Sequence, residues 1–86
     1  GESGDLHIYA DQGDDAGDEW KISVADGGVM TFGNDINSAG TYVTHLTITP
    51  NSTVASSTMA FAGSITAAGN TLATAADITA LAIALG

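Results

Sequence analysis

The segment that decides the fold is residues 20–32, WKISVADGGVMTF. Apolar residues occupy every second position from Trp20 to Val24, which places them on one face of a strand. The sequence DGG at 26–28 follows, and glycine adopts the positive φ angles of a tight turn at no steric cost. The segment therefore predicts a β-hairpin whose second strand begins at Val29.

Strand patterns continue on both sides of this hairpin. Before it, Leu6 and Ile8 alternate with polar or amphipathic neighbours, and after it residues 41–49 are β-branched or aromatic at most positions. Pro50 ends that run because proline cannot donate to a β-ladder. Both histidines, His7 and His45, are predicted to lie on strand faces opposite the large aliphatic residues.

Turn residues divide the rest of the chain. The clusters 33–35 and 37–40 predict turns around Ile36. Residues 52–68 predict one or two further strands that are broken at Gly63, and Gly69-Asn70 predicts another turn.

The C-terminal segment, residues 74–86, has two interpretations. Thr74 and Asp77 have the spacing of a helix capping box, and apolar residues follow at helical spacing. The same residues also alternate as an interchain strand would. The segment is therefore predicted to be either a short helix or a strand that joins another chain.

The predicted fold is mainly β, with short antiparallel strands and hairpins. The chain is predicted to have three segments. They are a β-rich module at 1–50 with an acidic loop at 11–19, a Ser/Thr/Ala-rich β or shaft segment at 51–73, and the C-terminal segment 74–86. Because the chain starts without Met or a signal-like segment, it is expected to be one piece of a longer protein.

Large apolar residues are scarce. Leu, Ile, Val and Phe together number 18 of 86 residues, whereas Ala alone accounts for 15. A chain this short buries a modest fraction of its surface even with a good core. We therefore expect copies to share a core in an intertwined, fibre-like homotrimer. The expected core or interface residues are Leu6, Ile8, Trp20, Ile22, Val24, Phe32, Leu46, Ile48, Ile78, Leu81 and Leu85.

The charge balance excludes several classes of partner. The formal net charge is −9 and Lys21 is the sole Lys or Arg, so the chain cannot supply the cations that bind nucleic acid or anionic membrane surfaces. No apolar run reaches the roughly 18–20 residues that span a bilayer. The absence of cysteine excludes disulfides and thiolate sites.

The acidic loop is a candidate metal site. Five of the ten acidic residues fall within it: Asp11, Asp14, Asp15, Asp18 and Glu19. Calcium takes about six to eight oxygen ligands, of which this loop could provide several, although the spacing does not match an EF-hand. A solvated turn between strands is the alternative. No other cofactor is expected, and no nucleophile elbow is present, so the chain is predicted not to be an enzyme.

Three motifs follow one another between residues 5 and 63: Ala10-Asp11-x-Gly13-Asp14-Asp15-x-x-Asp18-x-Trp20, Val24-Ala25-Asp26-Gly27-Gly28 and Leu46-Thr47-Ile48-Thr49-Pro50. Together they resemble segments of tail-fibre and related virion proteins of tailed bacteriophages, particularly phages of marine bacteria. The resemblance implies a trimeric, β-rich structural part of a virion appendage, located outside the particle. It would contact other virion proteins, and exposed loops would bind a host surface glycan or protein.

Two other functions remain open from the sequence. One is a calcium-stabilised module of a secreted bacterial adhesin or surface layer. The other is a self-assembling extracellular filament in which residues 74–85 insert into the sheet edge of the next subunit.

Overall fold

The computed structural model describes residues 3–73 and confirms a mainly β fold. The seven strands are β1 (Gly4–Tyr9), β2 (Glu19–Val24), β3 (Met30–Ser38), β4 (Thr41–Thr49), β5 (Thr58–Phe61), β6 (Ile65–Ala67) and β7 (Asn70–Ala73). Two short 3₁₀ turns, Asp11–Gly13 and Val54–Ser56, lie between strands.

The first five strands form one antiparallel sheet in sequence order, β1-β2-β3-β4-β5. Strands that follow one another in the chain are therefore neighbours in the sheet, as in a meander. Strands β6 and β7 form a separate two-stranded sheet. The hairpin predicted around residues 26–28 is confirmed, since β2 pairs with β3 and Ala25 N–H donates to Val29 O across the turn at 2.9 Å.

The register places the large apolar residues on a single face of the five-stranded sheet. Its central row crosses every strand, because Leu6 pairs with Ile22, Ile22 with Phe32, Phe32 with Leu46 and Leu46 with Phe61. Side chains of directly paired residues lie on the same face of a sheet. Along one strand, residues at positions i and i+2 also lie on the same face. We call this surface the apolar face; its apolar members are Leu6, Ile8, Trp20, Ile22, Val24, Met30, Phe32, Val43, Leu46, Ile48, Met59 and Phe61. The register also places Gly4 and Asn34 on it, because they pair with Val24 and Trp20. The opposite surface is called the polar face.

The turn predicted at residues 33–35 does not form. Gly33, Asn34 and Asp35 continue strand β3 and are buried. The chain reverses instead at Ala39 and Gly40, between the paired residues Ser38 and Thr41. Gly, Asn and Asp favour turns when they are solvated, but here hydrogen bonds to the acidic loop hold them in an extended strand.

A β-bulge interrupts the pairing of β3 with β4. Phe32 pairs with Leu46 and Gly33 pairs with Thr44, so His45 is the extra residue. Its ring centroid lies 5.2 Å from that of Trp20. His45 is thus on the side of the apolar face, and the prediction that it lies opposite Leu46 and Ile48 is wrong, because a bulge breaks strict alternation. His7 lies on the polar face, as predicted.

The Ser/Thr/Ala-rich segment contributes to both sheets. Strand β5 extends the sheet built by residues 1–50, and β6 and β7 form a hairpin with Gly69 at a φ of 82°. The helix or strand predicted for residues 74–86, and with it Ile78, Leu81 and Leu85 of the expected interface, lies outside the described residues.

Candidate functional site

The acidic loop is closed by its own backbone. Ala10 N–H donates to Asp18 O at 2.8 Å, and Asp18 N–H donates to Asp15 O at 3.1 Å. The 3₁₀ turn at residues 11–13 has positive φ angles throughout, at 45°, 66° and 70°. Glycine suits its last position, where an added Cβ would collide with the Tyr9 ring.

This closure brings four predicted ligands together. One carboxylate oxygen from each of Asp11, Asp14, Asp15 and Asp18 lies within 4.8 Å of the others. Asp18 is half-buried and the other three are exposed. Glu19, the fifth predicted ligand, is not in this group: it begins β2, is 7% exposed, and directs its carboxylate to His7.

A buried carboxylate connects the acidic loop to the sheet. Asp35 is fully buried, and its Oδ1 accepts hydrogen bonds from the backbone N–H of Gly17 at 2.9 Å and of Glu19 at 3.2 Å. Its Oδ2 accepts from Gly40 N–H at 2.9 Å. The bond from Gly40 lowers the pKa of Asp35 most; desolvation opposes that shift, and the other backbone N–H groups add to it.

Asn34 reinforces the same connection. Its side-chain amide donates to Gly17 O at 3.1 Å and to Glu19 O at 3.2 Å. Asn34 and Asp35 are adjacent in β3. Together they form hydrogen bonds with both the backbone N–H groups and the backbone carbonyls of Gly17 and Glu19. The buried polar residues of the described chain are Glu19, Asn34 and Asp35, and all three belong to this junction.

The polar face carries a cluster around Glu19. His7 Nδ1 lies 2.7 Å from Glu19 Oε2 and 3.1 Å from the Tyr42 hydroxyl. The Tyr9 hydroxyl is also hydrogen-bonded to Glu19, and Tyr9 pairs with Glu19 in the register. Desolvation, the negative charge of Glu19 and this hydrogen bond raise the pKa of Tyr9.

Tyr42 extends the cluster across the polar face. Its Cβ would lie 3.3 Å from a Cβ placed on Gly33, so the glycine allows Tyr42 to lie against β3. Lys21 Nζ lies 4.5 Å from the centre of the Tyr42 ring, a cation–π distance. The single cation of the chain is thereby held against an aromatic ring.

The apolar face remains open in a single chain. Within residues 3–71 no apolar side chain is buried. Leu6 is 56% exposed on β1, and Met59 and Phe61 are 57% and 45% exposed on β5. All eight of the predicted core residues between Leu6 and Ile48 lie on this face. Their role as an interface stays a prediction.

Sequence reasoning missed the roles of Asp35 and of the Glu19 cluster. The sequence did contain a signal for the cluster. His7 and Tyr9 are two residues apart in β1, and Glu19 and Lys21 are two residues apart in β2, so alternation places each pair on one side of its strand. No local signal marks Asp35, whose partners lie 5 to 18 residues away. Of the two turns predicted around Ile36, only the segment after Asp35 is exposed, because residues 33–35 are buried in β3.

The described part of the chain contains no helix with the length and hydropathy of a membrane-spanning segment. Comparison with protein-family models, with curated protein sequences and with solved structures finds no match to this chain. The fold and its surfaces define a small antiparallel β-meander with one apolar face and one polar face.

Proposed function

We propose that this chain is a structural segment of a virion appendage, such as a bacteriophage tail fibre, that supports attachment to the host. Copies of the chain associate as a homotrimer, outside the particle and in contact with other virion proteins. In this role the chain carries out no catalysis.

The observation that carries this proposal is the open apolar face. Burial of one large apolar side chain contributes about 1.5–3 kcal/mol, and a single chain leaves these side chains wholly or partly in water. Ordering each residue of a chain costs about 1–2 kcal/mol in backbone entropy. A segment that completes its core only with other copies suits a multi-chain fibre, and the resemblance of its motifs to tail-fibre segments supports the same assignment.

Contacts with a host surface belong to the exposed loops. The acidic loop exposes Asp11, Asp14 and Asp15, and the β3–β4 hairpin exposes residues 36–40. Both are joined to the sheet through the hydrogen bonds of Asp35. A glycan or protein on the host would therefore meet loops that the sheet holds in place.

Sedimentation equilibrium of the full chain tests the proposal. The expected species has three times the 8.5 kDa mass of the chain, and electron microscopy should show short rods. A folded monomer at micromolar concentration contradicts the proposal. Long filaments instead of rods would favour the self-assembling filament.

A calcium-stabilised adhesin or surface module is the second candidate. The observation that favours it is the approach of four carboxylate oxygens within 4.8 Å of one another in the acidic loop. Like charges this close repel unless a cation or solvent compensates them. Calcium prefers such oxygen ligands.

Calcium titration separates the two candidates. In the second, millimolar calcium raises the melting temperature strongly, and the double variant Asp14→Asn/Asp18→Asn abolishes the rise. Asp5→Asn, which removes an exposed carboxylate outside the loop, is the matched control and should keep it. An equal response of all three proteins excludes a specific site in the acidic loop.

A further inference from the structure

The apolar face is continuous from one edge of the sheet to the other. Its exposed members lie on β1, β2 and β5, and its members on the inner strands β3 and β4 are half-buried by their lateral neighbours. Strands lie about 4.8 Å apart and rise about 3.3 Å per residue. Each residue on one face of a sheet therefore occupies about 32 Å², and the apolar residues of this face together occupy about 380 Å² in projection.

This area is comparable with that of apolar patches that mark interaction sites. The largest apolar patch on a typical monomeric protein is about 300–600 Å², and patches of that size often mark interaction sites. A standard protein interface buries about 800 Å² per partner. Because side chains protrude from the sheet, the solvent-accessible area of the apolar face is larger than its projected area. The accessible area of this face therefore approaches the area that a stable interface buries on each partner.

The charges of the chain identify the partner. The apolar face holds no Asp, Glu, Lys or Arg, whereas the formal net charge of the chain is −9. A basic partner would be attracted to the acidic loop and not to this face. Copies of the chain, which repel one another elsewhere, can approach closely where neither carries charge.

Association through strand edges is the competing geometry. Strands β1 and β5 are the edges of the sheet, and a neighbouring chain could extend the ladder at either one. Edge pairing would leave the apolar face exposed in every copy. Packing of faces buries it, and the period-two alternation of these strands is the pattern of sheets that stack about 10 Å apart.

We propose that the apolar face is the interface between copies of this chain, which pack with these faces toward one another. The proposal rests on the self-association in the proposed function and assigns it to one surface. Trp20 and Phe32 lie within that surface as its large aromatic anchors, with the His45 ring beside Trp20.

Strand β5 offers a matched pair of test positions. Met59 lies on the apolar face, and its neighbour Ala60 points to the opposite side of the same strand. Both are exposed in the single chain, so either substitution can be accommodated without disturbing a packed core. Met59→Glu is expected to weaken self-association at least tenfold in sedimentation equilibrium, whereas Ala60→Glu leaves it within about twofold.

A labelling experiment keeps the test decisive if Met59→Glu fails to fold. The chain contains no cysteine, so Met59→Cys and Ala60→Cys each introduce a single thiol. Maleimide should modify the thiol of Met59→Cys at least tenfold more slowly than that of Ala60→Cys when the protein is associated. The two rates should converge on dilution below the dissociation constant.

The other outcomes each overturn a different statement. Association that persists with the thiol of Met59→Cys fully reactive overturns the apolar face as the interface and leaves the proposed function standing. Protection that persists in a chain shown by sedimentation to be dissociated overturns the apolar face as the interface between copies, and residues 74–86 of the same chain then become the candidate cover. A wild-type chain that is monomeric overturns the proposed function as well.

Discussion

The carboxylate of Asp35 accepts hydrogen bonds from the backbone of the acidic loop, of β2 and of the β3–β4 turn. A buried carboxylate is stable only when such donors replace the water that it loses. Because the bonds favour the charged form, the pKa of Asp35 is lowered, most of all by Gly40 N–H. One side chain thereby fixes the geometry of both loops at this end of the sheet.

Replacement of Asp35 tests this role. Asp35→Asn keeps one oxygen acceptor but loses the charge and the second acceptor, so we expect the melting temperature to fall by roughly 10 °C at neutral pH. Asp5→Asn removes a charge at an exposed position and should change it little. Circular dichroism melts at one fixed protein concentration measure both.

The pH dependence follows from the direction of the shift. The pKa of Asp35 is lower in the folded state than the unfolded value of about 3.9. Its stabilisation is therefore complete above about pH 4 and is lost as the pH falls through the lower, folded-state value. Between about pH 4 and 2 the melting temperature of wild type should fall more than that of Asp35→Asn; parallel curves would contradict the assignment.

Glu19 gives a second test on the polar face. Its charge and its hydrogen bond contribute to the raised pKa of Tyr9, although desolvation is the largest cause. Glu19→Gln should lower that pKa only part of the way to the usual value, since desolvation remains. Spectrophotometric titration of the tyrosines measures this pKa. The chain has two tyrosines, and the Tyr9→Phe variant gives the titration of Tyr42 alone. An unchanged titration would show that Glu19 does not act on Tyr9.

Strand β3 contains Gly33, although glycine usually destabilises the interior of a strand. Gly33 is buried on the polar face, where an added Cβ would lie 3.3 Å from Tyr42 Cβ and 3.4 Å from Val43 O. The second contact is with the backbone of β4, which cannot rotate away as a side chain can. A side chain at this position would therefore require β4 to move by a few tenths of an ångström.

Gly33→Val is expected to destabilise the fold by about 1–3 kcal/mol, because the branched side chain would push β4 away from β3. Gly63→Val is the control, since nothing lies within 4 Å of a Cβ at that glycine, which lies in the loop between β5 and β6. It should be neutral or slightly stabilising. Denaturant unfolding measures both, and equal losses would contradict the role assigned to Tyr42 and Val43.

The same strand shows what the sequence could and could not predict. Alternation placed β1, β2 and β4 correctly, and it put the large apolar residues on one face, because a two-residue period is a local property. Residues 33–35 were assigned to a turn because Gly, Asn and Asp favour turns locally. Their extended conformation depends on hydrogen bonds to Gly17 and Glu19, which only the folded chain brings near.

The same distinction, between local sequence patterns and contacts that only the folded chain forms, applies to the candidate sites. The four clustered aspartates lie within one short loop, so their proximity was predictable from spacing. Glu19 differs from them because it begins a strand, and alternation turns it toward His7. His45 could not be placed from the pattern, since the extra residue of a bulge is set by the pairing of β3 with β4.

At the level of the assembled protein, the described chain combines a complete hydrogen-bonded sheet with an incomplete core. Every strand from β1 to β5 is paired, yet no apolar side chain within residues 3–71 is buried. Backbone pairing fixes the register, whereas most of the stabilisation of a domain comes from apolar burial. Stability should therefore depend on association.

A shared core makes the melting temperature depend on protein concentration. If unfolding also dissociates the copies, mass action raises the melting temperature by several degrees over a hundredfold range of concentration, about 1 to 100 µM. Ala60→Glu should retain this dependence. Met59→Glu, which places a charge on the apolar face, should melt at a lower temperature than wild type at every concentration at which wild type is associated, because weaker association stabilises it less. A melting temperature that is the same at every concentration would show that one chain completes its own core, because only a unimolecular transition is independent of concentration.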